Sequence, residues 1–240
     1  MKNISLILLL FTAYVLSGCK SGSSSNNTLG VKESDAVCIW DNVSLLDSPV
    51  SNGKWISAIS IGEKLTYLDE SKEDTSGKKQ VMYYKVQLKD NKTGWVRSDF
   101  IILGSKPAAI SQDVQLYSRP DLLNKTDKMY KAMDIVAVKS EQGDFLEVTG
   151  KRQEGKWIES GWVKNSGVTY SDVDIAVAKY ARTAMDIKDA KQREEKIKEI
   201  INNSEYSSSI FIPLLQGAPT EVKPGNMEEE TPVDSTAKGD

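Results

Sequence analysis

The sequence predicts a mainly β protein, with two small β-barrels in tandem followed by one C-terminal α-helix and a disordered tail. A repeat is the first support. Thr93-Gly94-Trp95-Val96-Arg97 returns as Ser160-Gly161-Trp162-Val163-Lys164, each a polar turn running into Gly-Trp-Val and then a base. Matching series lie upstream: Val43-Ser44-Leu45 with Val114-Gln115-Leu116, Pro49 with Pro120, and Gly62-Glu63 with Met133-Asp134. A duplicated unit explains them, and a repeat has to be recognised before any single element is read. The second support is the alternation of apolar and polar residues at Leu65 and Tyr67, Tyr84, Val86 and Leu88, and Ile135 and Ala137, the period of half-buried strands. The third is the set of turn clusters between them: Ser51-Asn52-Gly53, Asp74-Thr75-Ser76-Gly77, Asp90-Asn91-Lys92-Thr93-Gly94 and Gln142-Gly143-Asp144.

Short strands bury too little alone, so closing each sheet on itself is the expected way to remove its edges. Tyr84-Lys85-Val86 with Lys92-Thr93-Gly94-Trp95-Val96, and Gly143-Asp144-Phe145-Leu146-Glu147-Val148 with Ser160-Gly161-Trp162-Val163, resemble the closing strands of bacterial SH3 (SH3b) domains. The resemblance implies two SH3-like β-barrels, over residues 36–104 and 105–168, and a role in binding the cell wall or a peptide. The family's usual Asn-Val-Arg before a Gly-Pro turn is here Val43-Ser44-Leu45-Leu46, so the first strand and its loop depart from the pattern.

At the start of the chain, Met1-Lys2 and the apolar run Ile4 to Leu16 have the form of a secretory signal, too short to span a bilayer comfortably. Leu16-Ser17-Gly18-Cys19 resembles the lipobox of bacterial lipoproteins, which implies a signal peptide over 1–18, a lipid on Cys19 and a membrane anchor. Several acyl chains on one residue would hold the chain firmly, where one gives marginal binding. Residues 19–35, rich in Ser, Gly and Asn, read as a flexible tether. With Cys19 acylated, Cys38 has no intramolecular partner, and its place in Ala36-Val37-Cys38-Ile39-Trp40 is that of a buried small hydrophobe.

After the second unit, Ser171-Asp172-Val173-Asp174 has the form of a helix start. Residues from Asp172 to about Asn202 are strong helix formers, with Val173, Val177, Ala181 and Ala184 spaced three and four apart. The apolar stripe narrows beyond Asp189 to Ile197, Ile200 and Ile201 among charges. Such a helix either packs on the second barrel or docks on a partner. Ile210-Phe211-Ile212-Pro213-Leu214-Leu215 reads as an apolar strap that folds back, which places helix and strap at 169–216. Residues 217–240 hold Pro219, Pro224, Pro232 and Glu228-Glu229-Glu230, a composition that predicts disorder.

Composition narrows the chemistry. The chain has no histidine, which removes Ser-His-Asp and Cys-His catalysis and the commonest zinc ligand. The net charge of −3 resides largely in the acidic tail, so there is no basic surface of the kind nucleic acid requires. Asp90-Asn91-Lys92-Thr93-Gly94 lacks the acid that would close a calcium loop, since Ile101 stands there. No cofactor or metal is implied. A paired-carboxylate enzyme would need a deep cleft, which small filled barrels do not provide. Binding remains, with aromatics as its means. Trp95, Trp162, Tyr84 and Phe145 are expected in the structural core. Trp55, Tyr83, Tyr117 and Trp157 are the candidates for a ligand groove. The function expected is therefore a lipid-anchored protein of the bacterial cell envelope that binds peptidoglycan peptide or a protein. The alternatives are contact with host or envelope proteins through the C-terminal helix, and a cryptic cell-wall enzyme.

Overall fold

The computed structural model of the chain describes residues 29–153 and 155–217. The expected signal peptide, Cys19 with its expected lipid, most of the expected tether and the tail beyond Gly217 lie outside the described residues. Fourteen strands form two seven-stranded sheets, and three α-helices follow. The first sheet comprises β1 (Asp35–Cys38), β2 (Val43–Leu46), β3 (Trp55–Ile59), β4 (Lys64–Asp74), β5 (Val81–Gln87), β6 (Thr93–Arg97) and β7 (Ile101–Leu103). The second comprises β8 (Lys106–Ile110), β9 (Val114–Tyr117), β10 (Lys125–Tyr130), β11 (Ile135–Gln142), β12 (Phe145–Lys151), β13 (Ile158–Lys164) and β14 (Val168–Thr169). Their orders are β3-β2-β6-β5-β4-β1-β7 and β10-β9-β13-β12-β11-β8-β14, the same path taken twice. The expected closure is incomplete, because each sheet curls round its core yet keeps two terminal strands, β3 and β7 or β10 and β14.

The correspondence extends to single hydrogen bonds. Gly62 N–H donates to the Cys38 carbonyl and Met133 N–H to that of Ile110, both at 2.8 Å. Both residues hold positive φ, 77° and 69°, where glycine pays no steric cost and methionine does. Glu63 and Asp134 follow, and each carboxylate accepts at 2.9 Å from the backbone N–H three residues earlier, Ser60 and Lys131. The Gly-Trp-Val glycines have a shared cause. A Cβ on Gly94 would lie 2.6 Å from the Leu46 carbonyl oxygen, and one on Gly161 would lie 2.8 Å from that of Tyr117. Only glycine lets β2 cross β6, and β9 cross β13, at this separation.

Alternation along the strands sets how the parts stack. Ala36 and Cys38 face the first core with Leu45, Ile59, Val86 and Val96, while Val37 and Ile39 face outward and pack with Ala137, Ile102 and Ile158. Burial pushes the Cys38 thiol up to about 12, and its Sγ lies 3.1 Å from the Trp40 carbonyl. In the second unit Val136 and Val138 face the core with Leu146, Val148 and Val163, while Ile135 and Ala109 face the helices. Thus the second unit covers the outer face of β1, and α1 covers the outer face of β8. The helix takes the place a further repeat would occupy, as a terminal cap does in a repeat array.

The single helix predicted over Asp172 to Asn202 is two: α1 (Asp172–Met185) and α2 (Ala190–Asn202). Asp189 breaks it, with extended backbone and a carboxylate that accepts from Gln192 N–H at 2.8 Å, so it caps a new helix. The break folds Ile197 and Ile200 back onto Ala181 and Ala184, which a continuous helix would leave in water. The strap ends in a short α3 (Ile212–Leu215), with Phe211 and Ile212 buried in the same cluster.

Candidate functional site: an aromatic groove on the first unit

The turn from β1 to β2, Trp40-Asp41-Asn42, leaves the sheet with Asn42 at a φ of 58°, which Asn tolerates through local hydrogen bonding. It stands opposite the short 3₁₀ helix Ser98–Phe100 that follows β6. Between them lies a hollow of about 390 Å³, lined among others by Trp40, Asn42, Leu46, Tyr83, Arg97 and Phe100. Tyr83 is its floor at 2 % exposure, and burial raises its phenol above the ordinary range. Trp40 and Phe100 form one wall, with ring centroids 5.6 Å apart and planes tilted by 40°. The Arg97 guanidinium lies 5.2 Å from the Phe100 ring centre and bonds the Asp99 carboxylate. Ser51 is held on the rim because its N–H donates to Asp74 at 3.2 Å. The Asp74 carboxyl sits below its usual range, first through the Ser76 hydroxyl and N–H and then through Ser51. Aromatic faces beside exposed hydrogen-bonding groups suit an extended peptide or another amphipathic ligand.

The second unit has the same backbone at this place with different side chains. Ile39 N–H donates to the Phe100 carbonyl and Ser111 N–H to that of Gly167, both at 2.9 Å, so Gly167 stands where Phe100 does. Gln112 accordingly follows Ser111 as Trp40 follows Ile39. A Cβ on Gly167 would fall 2.0 Å from a methyl of Val114, the counterpart of Val43 in the first unit. Tyr117 and Phe145 meet edge to face at 5.4 Å, and the Lys164 ammonium lies 4.4 Å over Phe145. The repeat is therefore asymmetric in its side chains here: Trp40 and Phe100 wall the hollow of the first unit, and Gln112 and Gly167 stand at their places in the second.

The structure separates the residues that sequence reasoning grouped as a groove. Trp55 and Trp157 are 61 % and 76 % exposed, yet neither lines the hollow. Tyr83 does line it, though as a buried floor and not as a surface ring. Tyr117 is 6 % exposed and packs on Phe145, so it is not available to a ligand. The Tyr83 and Tyr84 assignment slipped by one residue. Tyr83 pairs with Arg97 and Phe145 with Lys164, so Tyr83 is the counterpart of Phe145, and Tyr84 that of Leu146. The β12–β13 hairpin is longer than its counterpart, and the slip hides in that length difference. Tyr84 is half-buried, edge to face with Tyr67 at 5.3 Å against the first core.

Trp95 is buried on the face opposite Val86 and Val96, beneath the Lys72 and Lys85 ammonium groups at 5.4 and 5.8 Å. Trp162 is half-buried, and Phe145 is buried. Sequence reasoning missed Trp40, Arg97 and Phe100. The available signal was Asp41-Asn42, a turn pair directly after an indole.

A family match covers most of the unit with the groove. Residues 41–102 match the family described as Bacterial SH3 domain. The match takes in Asn42, Tyr83, Arg97 and Phe100 and stops short of the second unit. No curated protein matches the chain by sequence. Solved structures with similarity include NlpC2 and NlpC1 from Trichomonas vaginalis, 9 % and 11 % identical, with a TM-score of 0.25 in each case. These cover 70 % and 64 % of this chain and 56 % and 54 % of theirs, so the chain spans little more than half the length of either. Among the described residues no group of His, Cys, Asp and Glu is placed to hold a metal ion. None of their helices is long and apolar enough to cross a membrane.

Proposed function

We propose that this chain is a binding protein of the bacterial cell envelope, anchored by lipid on Cys19, whose first unit takes a peptide segment in the groove between Trp40 and Tyr83. The second unit is read as a second bacterial SH3 domain that lacks the Trp40 and Phe100 wall. One observation carries the reading: the unit that the family match covers has a hollow walled by Trp40 and Phe100, where the other copy has Gln112 and Gly167. The absence of histidine from the sequence favours binding over hydrolysis. Peptidoglycan stem peptide is the favoured ligand, and a peptide segment of an envelope protein is the alternative. Protein carrying Cys19→Ser, and so without lipid, is mixed with purified murein sacculi and sedimented. Co-sedimentation above a tag-only control that falls at least fivefold in Trp40→Ala supports the reading. No co-sedimentation removes the wall-binding version.

A second reading, contact with a protein through the helices, is favoured by one feature. An apolar hollow of about 390 Å³ opens between α1 and α2, lined by Tyr180, Ala184, Ile187, Ile200 and Tyr206. Capture of an envelope protein that survives Trp40→Ala and is lost in Tyr180→Glu would favour this reading over the groove.

A further inference from the structure

Trp40, the outer wall of the groove, is held from two sides, and only one of them belongs to the first unit. Phe100 lies against the ring at 5.6 Å. The Lys151 ammonium, from the second unit, lies 4.2 Å from the ring centre. That lysine stands at the end of a hairpin that is longer than its counterpart. In the first unit the β5–β6 ladder ends at Gln87↔Thr93, whereas β12–β13 passes the equivalent Thr149↔Ser160 and continues through Gly150↔Glu159 to Lys151↔Ile158. The added pairs are the ones that reach the first unit. Ile158 packs against the cluster of Val37, Ile39 and Ala137, and Ile39 is the residue before Trp40.

The hairpin is fixed from its other side as well. The Arg182 guanidinium, on α1, donates to the Lys151 carbonyl at 3.2 Å. Next in the chain, Arg152 bonds both Glu159 carboxylate oxygens, at 3.1 and 3.0 Å. Lysine on the indole thus projects from a braced strand end, which lowers the entropic cost of keeping it there.

We propose that Lys151 is a positioning residue for the groove of the first unit. It fixes the Trp40 ring through a cation–π contact, so the groove of the first unit is a site built by both units. The second unit serves as the brace. The inference rests on the groove being the binding site, and its first test needs no ligand. The full chain with Cys19→Ser is labelled with 5-fluorotryptophan, and the Trp40 fluorine resonance is assigned from Trp40→Phe. Lys151→Met keeps the length of the side chain and removes the charge, and Lys151→Arg restores a cation.

The expected result is a shifted and narrowed Trp40 resonance in Lys151→Met, an unchanged Trp55 resonance and recovery in Lys151→Arg. On sacculi, Lys151→Met is expected to weaken co-sedimentation by about three- to tenfold, and Lys151→Arg much less. A Trp40 resonance unmoved by Lys151→Met overturns the inference, as does a change in all five tryptophans together. Wild-type protein that ignores sacculi while Trp40 responds to Lys151 overturns the peptidoglycan reading and leaves the two-unit construction of the groove standing.

Discussion

The Asp174 carboxylate accepts a 2.8 Å hydrogen bond from the Ser209 hydroxyl, across 35 residues of chain. It also accepts from Ile210 N–H at 3.0 Å and from the Thr169 hydroxyl at 2.7 Å, so one buried side chain ties β14, the first turn of α1 and the strap together. Asp174→Ala leaves three donors without their acceptor, and we expect it to cost about 3 kcal/mol. Ser209→Ala removes one bond and should cost about 1 kcal/mol. Chemical denaturation monitored by far-UV circular dichroism measures both. An Asp174→Ala midpoint equal to wild type would show that the strap adds nothing to stability.

Gly94→Ala and Gly161→Ala place a methyl group inside contact distance of a facing backbone carbonyl, at 2.6 and 2.8 Å. Neither carbonyl can yield without parting two strands, so each substitution should cost about 2–3 kcal/mol. Gly104→Ala is the control. Its Cβ would meet nothing within 4 Å, and only its φ of 59° opposes alanine, at about 1 kcal/mol. Thermal denaturation should rank Gly104→Ala above the other two, and the reverse order would contradict the crossing geometry.

Acid should loosen the second unit through Glu159. Burial raises its carboxyl, but Arg152 and Lys128 together outweigh that and hold it below the ordinary glutamate range. A carboxyl depressed on folding contributes stability above its unfolded value of about 4.3, and that contribution drains away as pH falls through the folded value. Glu159→Gln should therefore cost about 1–2 kcal/mol at pH 7, since its side chain is only 11 % exposed, and little once the pH has fallen below the depressed folded value. Urea melts of both proteins across this range measure the difference. A constant gap between them would mean that the ion pair is not its source.

The aromatic residues divide into two groups with opposite signatures. Trp55→Ala and Trp157→Ala remove exposed rings and should alter stability by no more than about 0.5 kcal/mol. Tyr117→Ala empties a site packed against Phe145 and should cost about 3 kcal/mol or more. Denaturation midpoints give the stabilities. Wild-type stability in Tyr117→Ala would restore it as a surface residue.

The repeat was legible because its causes are local. A glycine where strands cross, a turn at positive φ and a carboxylate bound to the N–H three residues earlier each leave a mark in a few adjacent letters. The helix start at Ser171 was legible for the same reason, since its hydroxyl accepts from Asp174 N–H. Asp189, as a second cap, was equally visible in principle, but the helix formers on both sides masked it. Tyr83 and Tyr84 could not be told apart, because the register depends on a hairpin length that periodicity does not report.

By itself the sequence determined the class of fold, its duplication, the apolar character of the helices that follow and the reactive side chains the protein lacks. Tertiary structure alone decided which residues wall the groove of the first unit and what holds them. The hollow depends on Trp40 meeting Phe100 beside the turn, and on Lys151 meeting Trp40 across the junction of the two units. Contacts between residues so far apart in the chain depend on how two curved sheets pack, and packing is a property of surfaces in space that no local pattern encodes.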